Sequence, residues 1–412
     1  MPSDSSTHPR IVIVGGGLGG LALLLTLHRR GVPATLYERD TSSSTRAHLG
    51  APLDLGWESG QRALRENGLQ VNFEESADSE GRRIYDGAGT LHFSHGAGAQ
   101  GGSGRPEGPP PPQRPEDSRP EIERAVLRKL LLDAIPPHLI KWDHALVSVR
   151  SLGHGQHELT FANGFTTVSD ILVGADGANS RVRPLLSPAT PIYTDVKFID
   201  ISLAPETTKL PELQGTVASI GKWTLLVMQN SRMLGSRMCG DGRIRTFAAI
   251  RESADWTLPS DPAEAKAVTK TYFAGWQQWM LNLIDYADES AIYIHALYVL
   301  PAGHSWPHVR GVTLIGDAAH LMSPFAGAGA NLALLDGLEL GLALAGLATE
   351  GKLADQEAVD EAVVAFEENM CSRAGRIAKQ AEDNLHEFIH PDAPHPAIRR
   401  FKQVFAEGRH EG

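Results

Sequence analysis

The stretch that most constrains this chain is its first ordered one, Arg10 to Asp40, reading RIVIVGGGLGGLALLLTLHRRGVPATLYERD. Ile11 to Val14 is a β-branched apolar run, the pattern of a strand buried on both faces. Gly15, Gly17 and Gly20 follow at G-x-G-x-x-G spacing, and Leu18 to Arg30 then keeps helical periodicity up to Gly31. Pro33 to Arg39 reads as a second strand. Gly15 permits the tight turn, Gly17 lets a pyrophosphate approach the backbone, and Gly20 lets helix and strand pack closely. The helix N-terminus offers N–H donors and partial positive charge to the phosphates. Glu38 lies about twenty residues past the glycines, where a carboxylate can accept from a ribose diol; Arg39 stands beside it. A bare G-x-G-x-x-G is a weak signal. Between a strand and a helix, with an acid closing the next strand, it specifies a dinucleotide site on an α/β, Rossmann-type sheet.

Composition narrows the class. A length of 412 residues allows two or three domains. A net charge of −11 argues against nucleic-acid binding and against a polybasic membrane contact. The two cysteines, Cys239 and Cys371, are far apart and lack metal-ligand spacing, so free thiols in a reducing compartment and no metal site are expected. No apolar stretch reads as long enough to span a bilayer. MPSDSSTHPR is polar and has no apolar h-region, so it is not a secretory signal. A cytoplasmic enzyme is the expectation, monomeric or dimeric.

Farther along, Ser59 to Gly68 reads as a short helix and Arg82 to Phe93 as a hairpin. His95 to Arg119 is nearly all Gly, Pro and polar residues and reads as a floppy surface insert. Its Gly96 to Gly101 matches G-x-G-x-x-G letter for letter, but no strand precedes it and no helix follows, so it is a decoy. Pro120 opens a helix running to about Asp133. A small meander (Leu146 to Val149, His157 to Phe161, Phe165 to Val168) leads into a buried strand at Asp170 to Gly174. From about Pro191 to Val299 the texture changes to an antiparallel sheet. Its strands are read at Lys197 to Leu203, Gly215 to Ile220, Trp223 to Gln229, Arg232 to Met238 and Ile244 to Arg251. One amphipathic helix follows near Ala263 to Trp279. Val312 to Asp317 returns to strand and turn, followed by helices at Ala326 to Leu347 and Asp360 to about Glu387.

Three segments carry the chemistry: GGGLGG, GADGANSRVR (Gly174 to Arg183) and IGDAAHLMSPFAGAGAN (Ile315 to Asn331). In this order the set resembles the FAD-dependent aromatic hydroxylases, the single-component flavoprotein monooxygenases of the para-hydroxybenzoate hydroxylase type. APLDLGWESGQRAL (Ala51 to Leu64), RPEIERAVLRKLL (Arg119 to Leu131) and GDAAHLMSPFAGAGAN look closest to the tetracycline-inactivating flavin monooxygenases. The resemblance implies an FAD-binding domain at 8–75, 119–185 and 305–350, with a hairpin and insert at 76–118. It implies an antiparallel substrate domain at 186–304 and a C-terminal helical segment at 356–412. FAD contacts are expected from Gly15, Gly17, Gly20, Glu38, Arg39, Asp54, Arg124, Asp176, Gly316, Asp317, Ala328, Gly329 and Asn331, with Arg46 linked to NADPH. Asp317 would hold ribityl hydroxyls, a polar task that suits an ionised acceptor. Pro324, Phe325, Gly327 and Gly329 would run beside the flavin ring, where a helix N-terminus stabilises the reduced ring's charge by roughly 0.3–2 kcal/mol. Asp176-Gly177 also reads as a plain turn, Arg124 as a solvated helix-end residue, and His320 as a packed structural histidine rather than a base.

The implied activity is NAD(P)H-driven reduction of FAD, with NADPH favoured over NADH. Dioxygen then forms a C4a-hydroperoxyflavin, and one oxygen atom passes to a small aromatic or polycyclic substrate. No protein nucleophile is required. Substrate contacts would come from the sheet's flavin-facing side, with Met228, Met233, Met238 and Phe247 as candidates beside Pro324 and Phe325. Met and Phe at alternating strand positions also read as plain core. Any of Arg232, Arg237, Arg243, Arg245 and Arg251 could anchor an acidic substrate or line a solvated face. The insert and the diverging sheet depart from the tetracycline-inactivating pattern, which leaves the substrate open. An FAD dehydrogenase or oxidase, or an epoxidation or Baeyer–Villiger outcome, stays open as well. Gly275 to Trp279 resembles a halogenase tryptophan motif but runs on into Met280-Leu281 rather than Ile-Pro.

Overall fold

The computed structural model describes residues 8–45, 52–77, 81–95 and 119–407. Arg46 and most of the 95–119 insert, with its decoy glycines, lie outside them. The chain divides into two compact units, one of Met1–Asp78, Pro112–Ile192 and Tyr298–Ala381, the other of Ser79–Pro111, Tyr193–Leu297 and Glu382–Gly412.

The first unit is built on a five-stranded sheet in the order Val312–Leu314, Ile171–Gly174, Ile11–Val14, Ala34–Tyr37, Ile140–Lys141. Every pairing is parallel. All residues of Ile11–Val14 are buried, which is why the strand is β-branched throughout. Parallel pairing has a direct consequence for function. Each strand ends at the same edge, so Gly15, Glu38, Ala175-Asp176 and Ile315-Asp317 emerge side by side there although they are spread over 300 residues of chain. In open α/β sheets, ligands bind at this carboxyl edge.

Behind the edge, the helix Leu18–Arg29 crosses the helix Gly329–Thr349 at close range. A Cβ on Gly337 would lie 2.4 Å from the Gly19 carbonyl oxygen, and one on Gly341 would lie 2.6 Å from Thr26 Cγ2. The small residues of the second helix are therefore a packing requirement. That helix is 21 residues long and, by length and composition alone, apolar enough to cross a bilayer, which corrects the expectation that no stretch reaches that length. Its most apolar window is 56% buried inside the protein, and it carries buried Asn331 and Asp336. It is the packing helix of this unit's core. A three-stranded antiparallel sheet (Leu146–Gly153, Gln156–Phe161, Thr166–Ser169) completes the unit, at the positions the meander predicts.

The second unit holds a seven-stranded sheet in the order Tyr293–Val299, Ile192–Leu203, Ile244–Arg251, Arg232–Met238, Thr224–Gln229, Arg82–Tyr85, Leu91–His95. The Thr224–Gln229 and Arg82–Tyr85 strands pair parallel, the other described pairings antiparallel. One face packs Ile199, Ile201, Leu225, Val227, Leu234 and Ile250 against side chains of the surrounding helices.

Three local expectations are corrected. Gly215 to Ile220 is the helix Gln214–Ile220, whose buried residues, Thr216 and Ile220, stand at i, i+4, a helical repeat hidden in a β-prone stretch. The single helix at Ala263 to Trp279 is two, Pro262–Tyr272 and Gln278–Asp285, separated by Gly275 at φ +84. Asp261 caps the first of these, its side chain accepting from Glu264 N at 2.9 Å. The helix read from Pro120 begins at Arg124, because Glu121–Ile122 pairs with Leu53–Asp54 as a short ladder.

Candidate functional site

The three glycines of the first turn do three different things. A Cβ on Gly15, which sits at φ +109, would fall 2.2 Å from Ala175 O, so only glycine lets the first strand's turn pass the end of its neighbour. A Cβ on Gly20 would fall 2.1 Å from Gly15 O. Around Gly17 nothing lies within 4 Å. This open, exposed residue is also the N-cap of Leu18–Arg29, and no side chain caps the helix's first N–H groups. Glu38 is buried and accepts from Asp40 N at 2.9 Å and from Gly16 N. It closes the glycine turn from below. Arg39 points to solvent.

Arg128, which sequence reasoning missed, braces the same turn. Its guanidinium donates to Ser43 O at 2.8 Å and to Gly16 O at 3.4 Å, and approaches Asp40 at 4.0 Å. The available signal was its position one helical turn after Arg124. Arg124 presents its side chain to solvent, while desolvation by the surrounding protein lowers its pKa and the charge of Asp317 opposes that. That combination marks a cation lining a recess.

Asp176 behaves chiefly as a turn residue. Its Oδ2 accepts from Arg181 N at 2.7 Å and Val182 N at 3.4 Å, while Oδ1 is buried with no hydrogen-bond partner. Desolvation raises its pKa against those hydrogen bonds. Arg183, only 3% exposed, ties this loop to the next one. It donates from Nε to Ala318 O at 2.7 Å, and from its terminal nitrogen to Ala178 O at 2.8 Å and Asp317 O at 3.1 Å.

Gly316 adopts φ +60 and donates its N–H to Asp336 Oδ2 at 3.0 Å. Fixed by that bond and by Arg183, the turn presents the exposed Asp317 carboxylate at the sheet edge. His320 packs beneath it, 2.6 Å from Asp336, both side chains buried. Its reading as a structural residue agrees with that position.

The segment after His320 builds the other end of the site. Pro324–Ala326 forms a 3₁₀ turn with Phe325 buried, and Gly327 follows at φ +63. A Cβ there would meet Asp54 Oδ1 at 3.1 Å, so Asp54 and the turn are immediate neighbours. Asp54 is paired with Arg119 at 3.0 Å. Ala328 caps Gly329–Thr349 without a side-chain hydrogen bond, and nothing lies within 4 Å of a Cβ built on Gly329. A second uncapped helix N-terminus therefore opens here. Asn331 is already committed: its Nδ2 donates to Asp54 O at 2.7 Å, and its Oδ1 accepts from Gly56 N at 2.8 Å and Ser59 Oγ at 3.0 Å. It positions the Asp54 segment.

In the second unit, Met228 and Met233 are fully packed, 0% and 2% exposed, whereas Phe247 stays partly accessible. Arg243 is 3.8 Å from Asp288, and Arg251 donates to Ile389 O at 3.3 Å.

These parts fit a long, flat dinucleotide carrying hydroxyls. Open backbone at Gly17, an exposed carboxylate at Asp317, a recessed cation at Arg124 and an unused helix end at Gly329 are donors and acceptors that the protein itself leaves over.

Comparison with known proteins agrees. A family described as an FAD binding domain matches residues 156–362. Monooxygenase penA of Penicillium thymicola is 31% identical over 91% of this chain and 94% of its own length. The 3-amino-4-hydroxybenzoate 2-monooxygenase PtmB3 of Streptomyces platensis is 29% identical over 99% and 95%. Among solved structures, Klebsiella pneumoniae HpxO complexed with FAD and uric acid superposes with TM-score 0.74 at 19% identity over 96% of this chain and 92% of that one. Tetracycline destructase Tet(55) gives 0.70 at 20% over 97% and 96%.

Proposed function

Since the chain belongs to the FAD binding domain family and is a flavoprotein monooxygenase, we propose that it draws reducing equivalents from NAD(P)H and inserts one atom of dioxygen into a small aromatic or polycyclic molecule. Relatives named for 3-amino-4-hydroxybenzoate and urate chemistry support an aromatic substrate. The observation that carries the reading is the convergence of Gly17, Asp317 and the uncapped end at Gly329 on one unit's edge. FAD, when bound, supplies the reduction and oxygen-transfer chemistry.

The chain's own residues bind, orient and shield. The two helix N-termini at Leu18 and Gly329 favour negative charge by about 0.3–2 kcal/mol each. Asp317 accepts hydroxyl hydrogens from a carboxylate whose backbone is pinned by Arg183 and Asp336. Arg124 offers charge complementarity near Asp317. The Asp54–Arg119 pair stands beside Gly327, where it can exclude bulk water and hold a reacting group's orientation.

The test is purification of wild type and Asp317→Ala. Wild type should be yellow, and NADPH oxidation should accelerate with candidate aromatics whose products gain one oxygen by mass spectrometry. Asp317→Ala should lose the colour. Full flavin content in that variant would remove Asp317 from the site. Oxidation yielding only hydrogen peroxide with every candidate would favour an oxidase on the same fold.

A further inference from the structure

In the first unit a cleft of about 660 Å³ runs between the helices Gly329–Thr349 and Gln356–Phe388. None of its lining residues belongs to the glycine turn or to the sheet's carboxyl edge. Its volume falls within the roughly 300–1,000 Å³ of small-ligand clefts. The residues that the second helix supplies, from Ala362 to Arg376, span nearly four turns, about 21 Å. They grade along that length. Ala362 and Ala365 line one half together with Ala343 of the other helix and Phe366, which is buried. Alanines have no side chain long enough to fill the space between two helices, so this half is apolar and open.

The other half is cationic. Arg373 Nη2 donates to Glu339 Oε2 at 2.9 Å and to Oδ1 of the buried Asp336 at 3.3 Å. Glu339 is the one carboxylate among the cleft's described lining residues, and it is already shared, its Oε1 lying 3.5 Å from Arg62 Nη1. Arg376 follows Arg373 by about one turn. Its guanidinium is exposed and donates to Ser372 Oγ at 3.1 Å. Among the described residues Arg376 has no carboxylate partner. Arg62, Arg373 and Arg376 thus meet Glu339 and Asp336, and the charge of Arg376 is left over at the cleft's end.

We propose that this cleft binds a small monocarboxylate carrying a slender apolar chain, the chain lying along Ala343, Ala362 and Ala365 and the carboxylate meeting Arg376. A guanidinium fork matches a carboxylate at two points and holds it more strongly than a neutral group. Methylenes that leave water for alanine and phenyl surface add affinity in proportion to the area buried. One spare charge suits a single anionic group rather than a polyphosphate, and a cleft that follows a helix for nearly four turns suits a chain. The site is separate from the flavin cradle and from the pocket of the substrate proposed above.

The experiment titrates the FAD-loaded enzyme by calorimetry with octanoate, octanamide and acetate, which separate the charge from the chain. Wild type should bind octanoate at least tenfold more tightly than either other probe. Arg376→Gln should erase the preference over octanamide. Ala365→Trp, at an exposed helix position, fills the apolar half and should weaken octanoate at least tenfold; it serves if Arg376→Gln fails to fold. Both variants should keep the flavin content and NADPH oxidation of wild type, because neither residue touches the cofactor edge. A wild type that binds no octanoate, or that binds octanamide as tightly, overturns the proposal. So does a folded Arg376→Gln, or in its place Ala365→Trp, that binds octanoate as wild type does, since the acid then sits elsewhere. A cleft covered by a second copy of the chain would show as a dimer that octanoate does not enter, and that result overturns it as well.

Discussion

Replacing Asp336 by Asn tests how the cofactor turn is held. Asp336 is 0% exposed, and its carboxylate faces three donors: Gly316 N at 3.0 Å, His320 Nε2 at 2.6 Å and an Arg373 guanidinium nitrogen at 3.3 Å. Asparagine fits the same volume but turns one acceptor oxygen into a donor, so at least one of these partners meets N–H against N–H. Breaking a buried ion pair from one side costs about 3–5 kcal/mol. His320 can shed its proton and accept from the new amide, which places the expected loss near the lower end, about 3 kcal/mol. Urea unfolding of the apoprotein gives the number, and Asp336→Asn/His320→Gln closes a double-mutant cycle whose coupling should exceed about 1 kcal/mol. A sign in pH follows. Burial alone would lower the His320 pKa, but the charge and hydrogen bond of Asp336, with Asp317, outweigh it and raise the value. A raised folded value means stability fully present below the unfolded pKa of about 6.5 and lost as pH rises through the folded one. Wild type should lose stability over that window and Asp336→Asn should not. A loss below about 1 kcal/mol, with an unchanged pH profile, would refute the claim that this carboxylate holds the turn.

Other positions give sharp contrasts. Gly20→Ala places a Cβ 2.1 Å from Gly15 O, backbone that cannot yield, and should give insoluble or flavin-free protein; Gly17→Ala, in open space, should fold normally yet bind FAD at least tenfold more weakly by fluorescence titration. Burial, with Glu367 and Asp336, pushes the Cys371 thiol up to about 12, and Cys239 is buried, so Ellman's reagent at pH 8 should find neither thiol until the protein is unfolded. Asn331→Ala strands the N–H groups of Gly56 and Gly60 at about 1–3 kcal/mol per buried donor. Thermal denaturation should register that loss, and limited proteolysis should find new cutting near 54–60.

What could be read from the chain was whatever is local. A β-branched run, a glycine turn and a helix sit within one continuous stretch, and each glycine proves to have the geometry its spacing implies. The late turn at Gly316-Asp317 was legible for the same reason. What escaped depends on partners far away in sequence. Asn331 reads from its motif as a cofactor contact, and nothing local announces that its side chain also grips residues 54–60, some 270 positions earlier. Asp336 and Arg128 carry no motif at all, because their work is to hold backbone that another segment supplies. The helix Gln214–Ile220 was missed because a seven-residue helix among strands has too few residues to establish a period.

The acids of the site divide into two kinds, and the division explains why one motif residue matters more than its neighbours. Glu38, Asp176 and Asp336 all accept backbone N–H groups within their own unit: Asp40, Arg181 and Gly316 respectively. They hold loops in shape, and removing any of them damages the cradle before it damages a contact. Asp317 is different. Its backbone is gripped by Arg183, its turn by Asp336, and its carboxylate is left exposed at the sheet edge. An ionised carboxylate offers about four acceptor sites, and holding its backbone from two sides means a ligand's hydroxyls need not order it. Preorganisation of this kind shifts the entropic cost from binding to folding. Loss of Asp317 should therefore abolish flavin retention while leaving the fold's stability nearly untouched, whereas loss of Asp336 should cost both.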